Sequence, residues 1–118
     1  MRNPAALLAE YTAALNRYDL GAVENMFAEN AVYVSPGLNG EVTGRTAIMQ
    51  AFRAYFADHT DQVNVDWNVK VIGNKKIQSD WSLTATKVHT GEAVSRQGSQ
   101  VMTFDGEDRI ARVQVLDI

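Results

Sequence analysis

Val63-Asn64-Val65-Asp66-Trp67-Asn68-Val69-Lys70-Val71 alternates apolar and polar residues from end to end. A period of two marks an extended strand, because successive side chains point to opposite faces. The stretch therefore predicts a strand with one buried face, the apolar one. Downstream, Gly73-Asn74 signals a turn, and Ile77 to Val88 reads as a second long strand with Trp81, Leu83 and Ala85 on one side. Thr90-Gly91 leads into a third strand, Ala93 to Phe104, and Asp105-Gly106 into a fourth from Arg109 to Ile118.

Upstream the period is helical. Pro4 sits near the start of a first helix, where its missing N–H costs little. Leu7, Tyr11, Ala14, Leu15 and Tyr18 then form one apolar stripe. Asp19 is placed to cap a second helix that turns Val23, Met26 and Phe27 inward and ends at Asn30. Ala31 to Ser35 reads as a short strand broken by Pro36-Gly37, followed by a loop at Asn39-Gly40-Glu41. Thr43-Gly44 opens a third helix with Ile48, Phe52, Tyr55 and Phe56 on one face. Three N-terminal helices followed by a strand meander make an α+β fold, with helices packed on one face of a curved antiparallel sheet of about four long strands plus a short one.

At 118 residues the chain is expected to be a single domain, 1–118, and to bury roughly two thirds of its unfolded surface. A formal net charge of -3 argues against a nucleic-acid partner, which demands clustered Lys and Arg. With no cysteine there is no disulfide, thiolate nucleophile or zinc-thiolate site. No segment reads as a signal peptide or a membrane span, so a cytoplasmic protein without a membrane partner is the expectation. Asp58-His59-Thr60-Asp61 has metal-ligand residue types, but His89 is the only other histidine and lies near a distant hairpin. No metal and no cofactor are expected.

The N-terminal half carries a more specific signal. Ala9-Glu10-Tyr11-Thr12-Ala13-Ala14-Leu15-Asn16 through Asp19, Phe27-Ala28-Glu29-Asn30-Ala31, and Ser35-Pro36 to Gly44 together resemble the ketosteroid isomerase and SnoaL-like branch of the nuclear transport factor 2-like superfamily. The resemblance implies a cone-shaped sheet enclosing a pocket. In ketosteroid isomerases a tyrosine and a protonated aspartic acid bind the developing enolate oxygen while a second aspartate moves the proton. By this resemblance the oxyanion tyrosine matches Tyr11, the base aspartate falls on Ser35, the protonated aspartic acid on Gln100 and a supporting tyrosine on Phe52. Both family aspartates are thus replaced. Serine is no base at neutral pH without an activator, so steroid isomerisation by the family mechanism is not expected.

Strand alternation extends the candidate site. If Gln100 faces inward, so do Arg96, Gly98, Met102 and Phe104; with Val113 and Val115 inward on the last strand, Asp117 follows. Tyr11, Gln100 and Asp117 are then the candidate catalytic groups, and Ser35, Phe52, Trp81, Arg96, Met102 and Val115 the candidate substrate contacts. Tyr11 and Gln100 would hold a carbonyl oxygen and Asp117 would move the proton beside Arg96. The expected ligand is a hydrophobic small molecule, and the expected activity an isomerase, cyclase or hydratase reaction on a carbonyl compound. The alternative is a non-catalytic ligand-binding or dimerisation module. The family implies a homodimer through the sheet's outer face, which here carries Ser82, Thr84, Thr86, Ser95, Gln97, Ser99 and Thr103.

Overall fold

A computed structural model describes residues 2–36 and 40–117. Helix α1 (Pro4–Asn16) starts at Asn3, whose side chain accepts from the Ala5 N–H at 2.8 Å, with proline in the first turn. Helix α2 (Leu20–Met26) starts at Asp19, which accepts from the Ala22 N–H at 3.1 Å. The chain then turns directly into β1 (Phe27–Ser35). The second helix therefore ends four residues earlier than Asn30, because Phe27 already has extended backbone angles (φ -86°, ψ 139°). Strand β2 (Gly40–Thr43) pairs back on β1; the expected loop residues Gly40 and Glu41 belong to it, while Gly37 and Asn39 lie outside the described residues. Gly44, at φ 94°, opens α3 (Arg45–Asp58), a conformation that glycine adopts without steric cost.

The meander follows as β3 (His59–Gly73), β4 (Lys76–Lys87), β5 (Ala93–Phe104) and β6 (Ile110–Asp117). All strands join one open sheet in the order β2-β1-β6-β5-β4-β3. It is mixed rather than antiparallel, because β1 and β6 run parallel, Tyr33 beside Val113. The whole meander separates these two strands in sequence, so no hairpin constrains their direction. The helices pack on the inner face around one buried cluster that includes Leu8, Phe27, Ile48, Met49, Met102 and Val113.

Strand β3 departs most from expectation. Its apolar residues face outward: Val65 is 47% and Trp67 40% exposed, and Val63, Val69 and Val71 are exposed as well. The polar set Gln62, Asn64 and Asp66 faces inward instead. The reason lies in α1, which crosses this edge strand with a polar face. Asn16 Nδ2 donates to the Asn64 carbonyl at 2.9 Å and Asn16 Oδ1 accepts from the Asn64 N–H at 2.7 Å, while Thr12 Oγ1 donates to Asp66. A polar helix face demands polar partners on the strand beneath it. The pairing register of β3 slips at Asp61 and Asn68, both at positive φ (53° and 50°), and such bulges bend the strand and curve the sheet.

Candidate functional site

A cavity of about 110 Å³ lies between the helices and the inner face of the sheet. Across β3, β4, β5 and β6 the pairing register stacks the inner face of the sheet in rows: Asp66, Trp81, Gly98 and Asp117 in one, and Asn64, Leu83 and Arg96 in the next. Ser79, Gln100 and Val115 form the row on the other side. From above, α1 contributes Tyr11 and Thr12, β1 contributes Tyr33 and Ser35, and α3 contributes Phe52 and Tyr55.

Of the residues expected at the site, Tyr11, Ser35, Phe52, Trp81, Arg96, Gln100 and Val115 line this cavity together. Met102 does not: it is fully buried in the core, one row deeper than Gln100. Asp117 is not on the cavity wall either. Both of its carboxylate oxygens are held by Arg96, Nε to Oδ2 and Nη2 to Oδ1, each at 2.9 Å. Both oxygens are thus engaged by the guanidinium and turned away from the cavity lining. The guanidinium lies over the Trp81 ring, 5.4 Å from its centroid. Burial alone would lower the Arg96 pKa, but Asp117 and the Tyr55 hydroxyl beside it more than offset this and raise it.

Two groups missed in the sequence dominate the chemistry. The first is Asp66, half-buried on the cavity wall. Its Oδ1 accepts from Gln100 Nε2 at 3.1 Å and lies 3.4 Å from Ser79 Oγ, and its other oxygen accepts from Thr12. Gln100 Nε2 also lies 3.2 Å from Ser79 Oγ. Gln100 therefore holds a carboxylate and is not itself free for a substrate oxygen. Burial raises the Asp66 pKa, and the donors from Thr12, Ser79 and Gln100 offset this only in part. The second is Tyr33, partnered with Tyr11. Burial pushes Tyr11 well above the ordinary tyrosine value, with Tyr33 and the Asp66 charge adding to it. Burial likewise pushes Tyr33 up to about 12. Both phenols stay protonated at neutral pH and remain hydrogen-bond donors.

A period-two signal for Tyr33 was present: it alternates with Ala31 and Ser35, so a cavity-facing Ser35 brings Tyr33 with it. Asp58-His59 has a structural explanation. His59 stacks on Tyr55 (4.0 Å between centroids, 13° between planes) and its Nδ1 lies 2.9 Å from the Tyr55 carbonyl. Among the described residues no cluster of three metal-ligating side chains occurs, and no helix is long and apolar enough to cross a membrane.

Residues 8–113 match the family described as the SnoaL-like domain. The chain belongs to this family. Its fold is that of the nuclear transport factor 2-like superfamily, as solved structures show. SalBIII, described as an epoxide hydrolase/cyclase-like enzyme in pyran ring formation in the polyether salinomycin, superposes with a TM-score of 0.86 at 20% identity, over 98% of this chain and 90% of its own. RV0760c from Mycobacterium tuberculosis, solved with estradiol-17beta-hemisuccinate, gives 0.85 at 11% identity, over 97% and 93%. TerC, co-crystallised with polyporic acid, gives 0.81 at 10% identity, over 98% and 91%. No curated protein matches the sequence. At such identities the SnoaL-like chain shares a fold with these proteins; its chemistry has to be read from its own cavity.

Proposed function

We propose that this SnoaL-like protein is a cofactor-independent acid-base catalyst for a hydrophobic carbonyl compound, with Asp66 as the group that moves the proton. The observation that carries this reading is the Asp66 carboxyl itself: a titratable group on a cavity wall, raised by burial and fixed by three side-chain donors. A pKa lifted toward neutrality makes an aspartate a better acid-base catalyst than one in water. In the proposed step the Asp66 carboxylate takes a proton from the carbon next to a substrate carbonyl. The electrons of that C–H bond move onto the carbonyl oxygen, where the Tyr11 and Tyr33 hydroxyls donate hydrogen bonds to the enolate. Protonated Asp66 then returns the proton to the same carbon or to a conjugated one, so no outside reactant is needed. Gln100, Ser79 and Thr12 position the carboxylate. Arg96 and Asp117 form the neutral pair beside it, in place of the base role first expected for Asp117.

The relatives' ligands support a carbonyl-rich small molecule: estradiol hemisuccinate and polyporic acid occupy crystals of two structural neighbours. A volume of about 110 Å³ is below the ~300–1,000 Å³ usual for drug-sized ligands. The substrate proposed is accordingly smaller than a steroid, about one ring across. The test is hydrogen-deuterium exchange at the carbons flanking the carbonyl of cyclohexanone in D2O, followed by proton NMR. The protein should accelerate exchange, Asp66→Asn should abolish the acceleration and Asp117→Asn should retain most of it. Equal loss in both variants, or none in Asp66→Asn, overturns the assignment.

A second property is favoured by a separate observation. The outward apolar residues of β3 stand exposed at one edge of the outer face, and the exposed Leu116 lies in the same cross-strand row as Trp67, beyond Asp80 and Ser99. We propose that this outer face forms a homodimer, drier along β3 than its Ser/Thr-rich centre suggests.

A further inference from the structure

The cavity wall holds two buried polar groups that the acid-base reading leaves unused. Gln62 is only 5% exposed, and its Nε2 has no hydrogen-bond partner among the described residues. The buried hydroxyl of Tyr55 lies beside the Arg96 guanidinium, which can only donate, so the hydroxyl's own hydrogen has no acceptor among the described residues. The two flank the corner at which α3 ends and β3 begins, and both line the cavity. A buried polar atom without a partner is unfavourable, and most native ones are satisfied by something. The backbone of the Gln62 corner is pinned, since its N–H donates to the Tyr18 hydroxyl at 2.8 Å. The side-chain amide is thus aimed by a fixed segment.

We propose that Tyr55 and Gln62 form a second polar subsite, which receives a neutral oxygen acceptor, a carbonyl or ether oxygen, at the end of the ligand remote from Asp66. Gln62 Nε2 can only donate, and the Tyr55 hydroxyl has a hydrogen to give. An acceptor therefore satisfies both. Charge selects a neutral one: Arg96 is already neutralised by Asp117 through a bidentate pair, and Asp66 shares the cavity. Gln62 and Asp66 face the same side of β3, about 13 Å apart by the strand rise of about 3.3 Å per residue. The ligand class is thus a compact ring or chain with oxygen functions at both ends. Only the chemistry at the Asp66 end rests on the function proposed above.

The test compares 1,4-cyclohexanedione with cyclohexanone, which lacks the distal oxygen, by NMR titration. The dione should bind about tenfold more tightly to the native protein, equivalent to about 1.4 kcal/mol. The double variant Tyr55→Phe, Gln62→Leu should bring the ratio to about one. It should lower the unfolding midpoint little, because the Gln62 Nε2 and the Tyr55 hydroxyl hydrogen have no acceptor among the described residues. Asp66→Asn should leave the ratio intact. Equal affinities in the native protein, as when water alone satisfies the two groups, would overturn the subsite. So would no measurable dione binding, or an unchanged ratio in the double variant. Loss of Asp66-dependent exchange with the ratio preserved would sink only the acid-base reading. Exchange with a ratio of one would sink only the subsite.

Discussion

Gly98 links the sheet to the site, and replacing it with alanine should disturb both. It lies between Trp81 on β4 and Asp117 on β6, in the row that carries Asp66. A Cβ there would sit 1.8 Å from the Leu116 carbonyl oxygen, 2.8 Å from its carbon and 3.0 Å from the Asp117 Cα. Ordinary contact begins near 3.4 Å, so that oxygen must retreat by 3.4 − 1.8 = 1.6 Å. All three obstacles are backbone, which cannot rotate aside as a side chain can. Overpacking costs about 1–3 kcal/mol in general, and a backbone clash places Gly98→Ala at the upper end, about 3 kcal/mol. With an unfolding entropy of about 2.1 cal/mol/K per residue, 118 residues give about 0.25 kcal/mol/K, and the midpoint should fall by about 12 °C. The same displacement moves Asp117 away from Arg96. Urea and thermal unfolding of the native protein and Gly98→Ala measure the first effect, and a crystal structure of the variant the second. A loss below about 1 kcal/mol, with the clamp intact, would refute the close approach of β5 and β6.

Three further outcomes follow from the site and the sheet. Asp66→Leu strands the Thr12, Ser79 and Gln100 donors and should cost about 1–3 kcal/mol in urea unfolding, whereas Asp66→Asn, which can still accept and donate, should cost less. Because Asp66 is raised in the folded protein, the native state holds more protons than the unfolded chain between the ordinary aspartate value and the folded one. Native stability relative to Asp66→Asn should therefore be greatest in acid and decline as pH rises from the ordinary aspartate value of about 4 through the raised folded one; a relative gain with rising pH would contradict this. Val65→Lys, on the exposed face of β3, should convert a micromolar dimer to monomer in sedimentation velocity, and a native protein that is monomeric at the same concentration removes the dimer.

Helix starts were legible in the sequence because caps are local. Asn3 and Asp19 act on the chain two or three residues ahead, and Gly44 needs only its own backbone freedom. The inward sets of β5 and β6 were legible because the resemblance placed Gln100 inward and alternation carried that choice to Arg96 and Met102, while Val113 and Val115 marked the core side of β6. Strand β3 alternates as cleanly, yet its faces are reversed. Alternation fixes that there are two faces and says nothing about which is buried. The deciding partners, Thr12 and Asn16, lie four residues apart on α1, fifty residues upstream of the strand they cover. That one inversion hid Asp66, Asn64 and Gln62 from the candidate site. The clamp on Asp117 was half legible: its neighbour Arg96 was expected, but the bidentate geometry that removes Asp117 from the wall is a matter of distances. The family's aspartate positions carry Ser35 and Gln100, and alternation along β6 pointed to Asp117 for the proton instead; the carboxylate on the cavity wall comes from a different strand, and Gln100 holds it in place.

The most direct measurement of the central claim is the pH dependence of cyclohexanone exchange in the native protein and in Asp66→Asn. The native rate should rise through a group titrating above the ordinary aspartate value and then level off, and the variant should lack that limb at every pH. A profile without such a limb, or one that Asp66→Asn leaves unchanged, would contradict a proton-transfer role for Asp66.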